Sequence, residues 1–384
     1  MPQSHTNERR VSNVQPGYSV YFPWKKYGIH QLRLSSRHEP LRLIFFPYMW
    51  ARLGCLLTCL AAGQASAAEF PCVSCHPQEG RSQPATPMAH SLTRANESEI
   101  LRNHAHLRFT DSGYTYELDW KPDQVIYTVM KGEDTFSVSI PWAFGLGSAG
   151  QTFVYEHSGT LHEARVSFYT AINGLDITVG HKSIPLEGDL PGAAGRRLQK
   201  LESSRCIACH ATTGGGEIKP GVQCERCHQD AKKHASAITS GTSKLIPPKL
   251  SQLDADEMST FCGECHRTWE EIAANGPRNV NNVRFQPYRL AGSKCFEANP
   301  QDRRISCTAC HNPHQDVIRE AAFYDAKCVS CHAIANGHPQ MRVCPKARQD
   351  CVSCHMPKVN LADAHYKFTD HQIRVPRHNQ PYPD

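Results

Sequence analysis

The chain has 384 residues, among them 18 cysteines and 22 histidines, and a formal charge of +6. Eight of its 42 Lys/Arg and two of its 36 Asp/Glu precede residue 68, which leaves 34 of each sign in the body, so net charge gives no support for nucleic-acid binding. Length alone suggests two or three ordinary domains.

In chain order, residues 1–48 are polar, contain proline and lack periodicity, and read as a mis-start or disordered leader rather than a domain. Met49-Trp50-Ala51-Arg52 opens a short positive segment, Leu53–Gly63 is an apolar run, and Ala65-Ser66-Ala67 is a small-residue cleavage site. Residues 49–67 therefore read as a Sec-type signal peptide that sends the rest to the periplasm or another extracytoplasmic space. An uncleaved anchor over 41–62 is the alternative, but Pro47 and Arg52 interrupt it. No later segment is apolar enough to span a bilayer.

Residues 68–98 contain a first C-x-x-C-H, Cys72-Cys75-His76, and the next such site is 129 residues further on. Much of that interval alternates apolar with polar side chains. Tyr114–Trp120, Gln124–Met130, Thr135–Ile140, Thr152–Glu156, Ala164–Thr170 and Leu175–Val179 read as strands, with turn pairs at Lys131-Gly132, Ser158-Gly159 and Asn173-Gly174. A small antiparallel β module over 99–190 is predicted. His157 and His162 flank one of its turns and read as solvated.

Residues 191–384 hold six further sites: Cys206-Cys209-His210, Cys224-Cys227-His228, Cys262-Cys265-His266, Cys307-Cys310-His311, Cys328-Cys331-His332 and Cys351-Cys354-His355. Two thiols three positions apart on one helical turn can each add to a vinyl group of one porphyrin edge. The following histidine then gives its imidazole to the iron as proximal ligand. Zinc uses C-x-x-C pairs but does not need a histidine after every pair. Disulfides do not either, and a thioredoxin-like pair is not repeated seven times. The cofactor expected is seven covalently attached haem c groups.

The spacers between the last six sites are 13, 33, 40, 16 and 18 residues, too little for separate apolar cores. The porphyrins are therefore expected to form the core, under short helices and loops. The fold class expected is mainly α with much irregular loop, a multihaem cytochrome c scaffold carrying the β insert. Four cysteines lie outside the motifs. Cys55 and Cys59 leave with the signal peptide, and an oxidising compartment makes a Cys295–Cys344 disulfide the economical guess, with two free thiols as the alternative.

GVQCERCHQDAKKH, FCGECHR, VRFQPYRLAGSKCF, ISCTACHNPHQ, CVSCHMPK and HYKFTDHQI resemble multihaem cytochromes of the cytochrome c-552/4 type, relatives of nitrifier tetrahaem cytochromes and, more distantly, of hydroxylamine oxidoreductases. The likeness spans roughly residues 70–375. It implies mostly bis-histidine haems in stacked pairs on a mainly helical scaffold, and it favours Cys295 and Cys344 as a pair.

Seven distal ligands are then required, and twelve histidines after residue 67 lie outside the motifs. His234, six residues after His228, matches the family's C-x-x-C-H-x5-H arrangement. His314 is three residues from His311 and is expected to reach a neighbouring haem. His365 and His371 follow, and His90, His181, His106, His104 and His338 compete for the rest. Met88 is an alternative to His90 at the first site.

Two ligands per iron favour electron transfer, with other cytochromes or membrane quinol-oxidising complexes as partners and no catalytic residue. The rival reading is a multihaem oxidoreductase acting on a small nitrogen or sulfur species at a five-coordinate haem. None of the seven motifs ends in the lysine that related nitrite reductases use. A third reading is a filament-forming cytochrome.

Overall fold

A computed structural model describes residues 72–184, 186, 188–214, 217–242, 247, 249–332, 344–375, 377 and 382. The stretches read from sequence as leader and signal peptide, with Cys55 and Cys59, and His338 lie outside the described residues.

The first motif is a helical turn that runs into α1 (Pro77–Ser82), strand β1 (Leu92–Arg94) and α2 (Glu99–Asn103), whose start is capped by the Ser98 hydroxyl accepting the Leu101 N–H. A four-stranded antiparallel meander follows: β2 (His106–Asp111), β3 (Tyr114–Trp120), β4 (Val125–Lys131) and β5 (Asp134–Ser139). Its hairpin turns pass through left-handed backbone at Ser112-Gly113 and Gly132. Alternation buries one face, with Tyr114, Tyr116 and Leu118 on β3 and Val125, Tyr127 and Val129 on β4 pointing inward.

The second sheet holds β6 (Trp142–Gly147), β7 (Gly150–His157) and β8 (Thr160–Tyr169) in the order β1-β6-β7-β8, and both β9 (Gly174–Ile177) and β10 (Gly195–Arg197) pair with β8. Ala164–Tyr169 are all buried, because β8 is covered on both faces. The main cluster of 19 buried residues includes Tyr116, Tyr127, Phe153, Tyr155, Val166 and Phe168, and a smaller one gathers Leu92, Phe144, Val154, Leu198 and Ala211.

The module therefore runs from 92 to 197, beyond the 99–190 read from sequence. Strands β1, β2, β6 and β10 were not expected. Residues β1 and β10 span three positions each, too few for a period to register. In β6, Gly145 and Gly147 take left-handed φ where the register with β7 shifts, so the strand reads as a turn. His157 and His162 are half-buried: His162 stacks on Tyr155 at 5.3 Å, and His157 meets Phe136 edge-on at 5.2 Å.

Beyond the module come short helices: α3 (Leu190–Ala194), α4 (Lys200–His210), α5 (Cys224–Cys227), α6 (Ala231–Thr239), α7 (Ala255–His266), α8 (Trp269–Asn275), α9 (Gln286–Ala291), α10 (Lys294–Ala298), α11 (Cys307–Cys310), α12 (Ala321–His332) and α13 (Cys351–His355). Hairpins β11 (Ala211–Gly214)/β12 (Glu217–Pro220) and β13 (Lys358–Leu361)/β14 (Tyr366–Thr369) interrupt them. The largest cluster of buried apolar residues in this half has three members, Ala255, Leu290 and Phe296. Among the described residues no helix is long and apolar enough to cross a membrane.

Two seams join the halves. On one side the segment after the first motif docks on the second and third: Val222 N–H donates to Met88 O at 2.9 Å, and Gln83 Nε2 donates to Val222 O at 2.7 Å. Gly221 makes this possible, with φ +74° and Ala89 O so close that an added Cβ would lie 1.7 Å from it. On the other side Asp176 of β9 binds His365 at 2.8 Å, and Lys182 pairs with Asp363.

Candidate metal centres

All seven motifs sit on a single helical turn or at the C-terminal end of a helix. Where the turn stands alone it is closed by its own backbone: His76 N–H donates to Cys72 O at 2.8 Å, and His228 N–H and His311 N–H donate to Cys224 O and Cys307 O at 2.9 Å. That places both thiols on one side, with the histidine immediately after them. None of the fourteen motif thiols is buried, although free cysteine is ordinarily among the most buried residue types.

Two proximal rings are oriented from outside their own motif. His210 Nδ1 bonds Ser91 O at 2.9 Å, and His355 Nδ1 bonds Arg374 O at 2.8 Å. A backbone acceptor on Nδ1 fixes the tautomer that leaves Nε2 for a metal. Burial holds His210, His228, His266 and His311 below the ordinary histidine value, which keeps each ring in the neutral, ligating form.

The motifs are also packed against one another. The thiols of Cys72 and Cys224, Cys209 and Cys265, Cys262 and Cys307, and Cys328 and Cys351 are neighbours. Cys227 lies within electrostatic reach of Cys262, and Cys310 of Cys328. In motif order, the first meets the third, which continues through the fourth, fifth, sixth and seventh, and the second branches from the fourth. Asp325 fastens the last link, accepting the Cys351 N–H at 2.8 Å.

The distal candidates separate into groups. The His314 ring lies 6.1 Å from that of His228 and within 6° of parallel, and the His371 ring lies 6.3 Å from that of His311. With imidazole nitrogen about 2 Å from a bound metal and the ring centre roughly 1 Å behind it, two rings on opposite sides of one metal would be about 6 Å apart. The fit is close at both places. His371 Nδ1 bonds Thr369 O at 3.0 Å, which leaves Nε2 as the nitrogen available to a metal.

Other candidates are held as structural links. His104 has both ring nitrogens engaged, with Ile100 O and Asn173 Oδ1. His181 is 1% exposed and bonds Glu163, His106 bonds Asp119, and His365 bonds Asp176. Each of these rings is tied to the β module or to its seam with the C-terminal hairpin through the bonds just given, and only His104 uses both nitrogens in them. His234 lies on α6, and His90 is exposed on the turn before β1.

The Cys295 and Cys344 thiols are not joined to each other in this structure. Cys295 sits on α10 within electrostatic reach of Cys331 and Cys310, whereas Cys344 is exposed beside the backbone of Lys346 and Ala347.

Sequence reasoning passed over Arg289 and Asp370, a buried pair beside His371. An arginine and an aspartate 81 positions apart give no local signal. Asp370 next to a candidate ligand was the one available hint.

Residues 217–333 match the family model described as Cytochrome c3. No solved structure matches the chain. The matched segment contains the third to sixth motifs, the family implies covalently bound haem c, and the donor set fits that group. Match and geometry together support a multihaem c-type cytochrome that transfers electrons.

Proposed function

We propose that the chain is an exported heptahaem cytochrome that passes electrons between redox proteins along closely packed haems, most of them ligated by two histidines. Haem c supplies a reversible one-electron iron couple. What the chain supplies is placement. The fourteen motif thiols would tether the groups, and His76, His210, His228, His266, His311, His332 and His355 would be the proximal ligands, with His314 and His371 opposite His228 and His311.

The unbroken succession of motifs carries this reading. Tethers this near one another bring their groups together. Carbonyl acceptors on His210 and His355 would raise ligand basicity and so tune the iron. Two propionates per haem would make the loaded protein acidic and steer partners with basic patches.

The test is intact-mass spectrometry and EPR of protein matured in a host competent for cytochrome assembly. Seven haem c additions and low-spin signals indifferent to nitrite and hydroxylamine are expected. A colourless product at the bare polypeptide mass would end the proposal. A high-spin signal that shifts with nitrite would turn it toward an oxidoreductase.

A further inference from the structure

Asp370 and Gln372, the neighbours of His371, are both fastened to the segment around α9. Arg289 is 3% exposed and Asp370 0%. Arg289 donates Nε to Asp370 Oδ1 at 2.9 Å and Nη2 to Oδ2 at 3.2 Å, a two-point fork. The same guanidinium reaches Gln372 Oε1 at 2.7 Å and Asn282 Oδ1 at 3.2 Å. Asp370 Oδ1 also accepts the Gln372 N–H at 3.0 Å, and Arg374 closes on Oδ2. From the other side Ser293 Oγ accepts the Ile373 N–H at 2.8 Å and donates to His371 O.

We propose that Arg289 and Asp370 form a positioning clamp that sets His371 as the second axial ligand at the fifth motif. The inference rests on the haem reading above. A buried ion pair gains little net stability over apolar residues of the same volume, but its fork has one good geometry, so what it supplies is location. The chain on each side of His371 is fixed, and its Nδ1 is spent on Thr369 O, leaving Nε2 one direction to take.

The test uses full-length matured protein and oxidised-state EPR, with total haem measured in parallel. His371→Ala gives the reference, one additional high-spin centre that returns to low spin with added imidazole. The double variant Arg289→Met/Asp370→Leu removes both charges of the buried fork, leaves only the partly exposed Arg374 without its carboxylate, and is expected to keep the haem count, show the same imidazole-rescued high-spin centre, and lower the low-spin signal by one haem in seven. Where the double variant does not assemble, Arg289→Lys, which keeps the charge and loses the fork, is expected to show that signal in part. Unchanged low-spin spectra in whichever variant assembles, or no new signal in His371→Ala, overturn the clamp while leaving the haem reading intact. Wild-type protein without haem overturns the haem reading itself.

Discussion

Gly221→Ala is the most direct probe of how the first motif is held to the others. At φ +74° an alanine costs about 1–2 kcal/mol in backbone strain. Its Cβ would also meet Ala89 O at 1.7 Å and the Ala89 carbonyl carbon at 2.6 Å, so the Met88–Ala89 backbone must retreat by more than an ångström. That retreat breaks the Val222 N–H bond to Met88 O and disturbs the Gly221 N–H bond to His210 O. Two backbone hydrogen bonds at about 1 kcal/mol each bring the local loss to roughly 3–4 kcal/mol. Amide exchange at Val222 and Gly221 should then accelerate by about two powers of ten, with exchange in β3 and β4 unchanged. Gly221→Asn separates the two causes, because asparagine tolerates left-handed φ but still carries a Cβ. Equal damage in both variants indicts the close approach. Wild-type exchange at Val222 in Gly221→Ala would refute the reasoning.

Glu163 accepts from His181 at 2.9 Å and Arg196 at 2.7 Å, tying β8 to β10 and to the turn after β9. Burial alone would raise its carboxyl, but the two partners outweigh burial and hold it below the ordinary 4.5. A depressed folded-state value means that the stabilisation is present above pH 4.5 and lost as pH falls through the lower value. Glu163→Gln should cost about 1–3 kcal/mol at pH 7, and the gap to wild type should close in acid; a gap constant from pH 7 to 3.5 by exchange in β10 counts against this. His314→Ala should add one high-spin centre by EPR, assigned to the third motif. His104→Ala should leave the EPR spectrum unchanged and loosen α2, since both ring nitrogens serve the module; a new high-spin centre in that variant would return His104 to the ligands.

The seven motifs could be located from sequence because their chemistry is local: two thiols and an imidazole within five positions. Strands were legible where β-branched and aromatic residues alternate, so that the run read as 124–130 lies at Val125–Lys131. In β6, glycines at the register shift hid the period. Distal ligation is not local. His228 and His314 are 86 positions apart and His311 and His371 are 60, so which ring faces which depends on how loops pack. The contacts of His104 with Asn173, His181 with Glu163 and His365 with Asp176 are likewise non-local, 69, 18 and 189 positions apart.

Apolar burial is divided so unevenly that the two halves should depend on the cofactor to different degrees. The β module buries 19 residues in one cluster, with fully buried Tyr116, Tyr127, Phe153 and Tyr155 at about 1.5–3 kcal/mol apiece. The motif-bearing half has a largest cluster of three, and its helices are at most twelve residues long among those described, below the length at which isolated helices persist in water. Side chains alone cannot order that half against its conformational entropy, so on the proposed function its order would come with the haems. Protein made without haem attachment should therefore keep slow amide exchange in β3, β4, β7 and β8 while residues of α7, α11, α12 and α13 exchange near the unchained rate. Only β8–β10 and the seam at Asp176 and His365 should show intermediate behaviour, because they border both halves. Equal protection in the two halves of the haem-free chain would mean that the helices carry a core of their own, and the account of haem as their packing partner would fall with it.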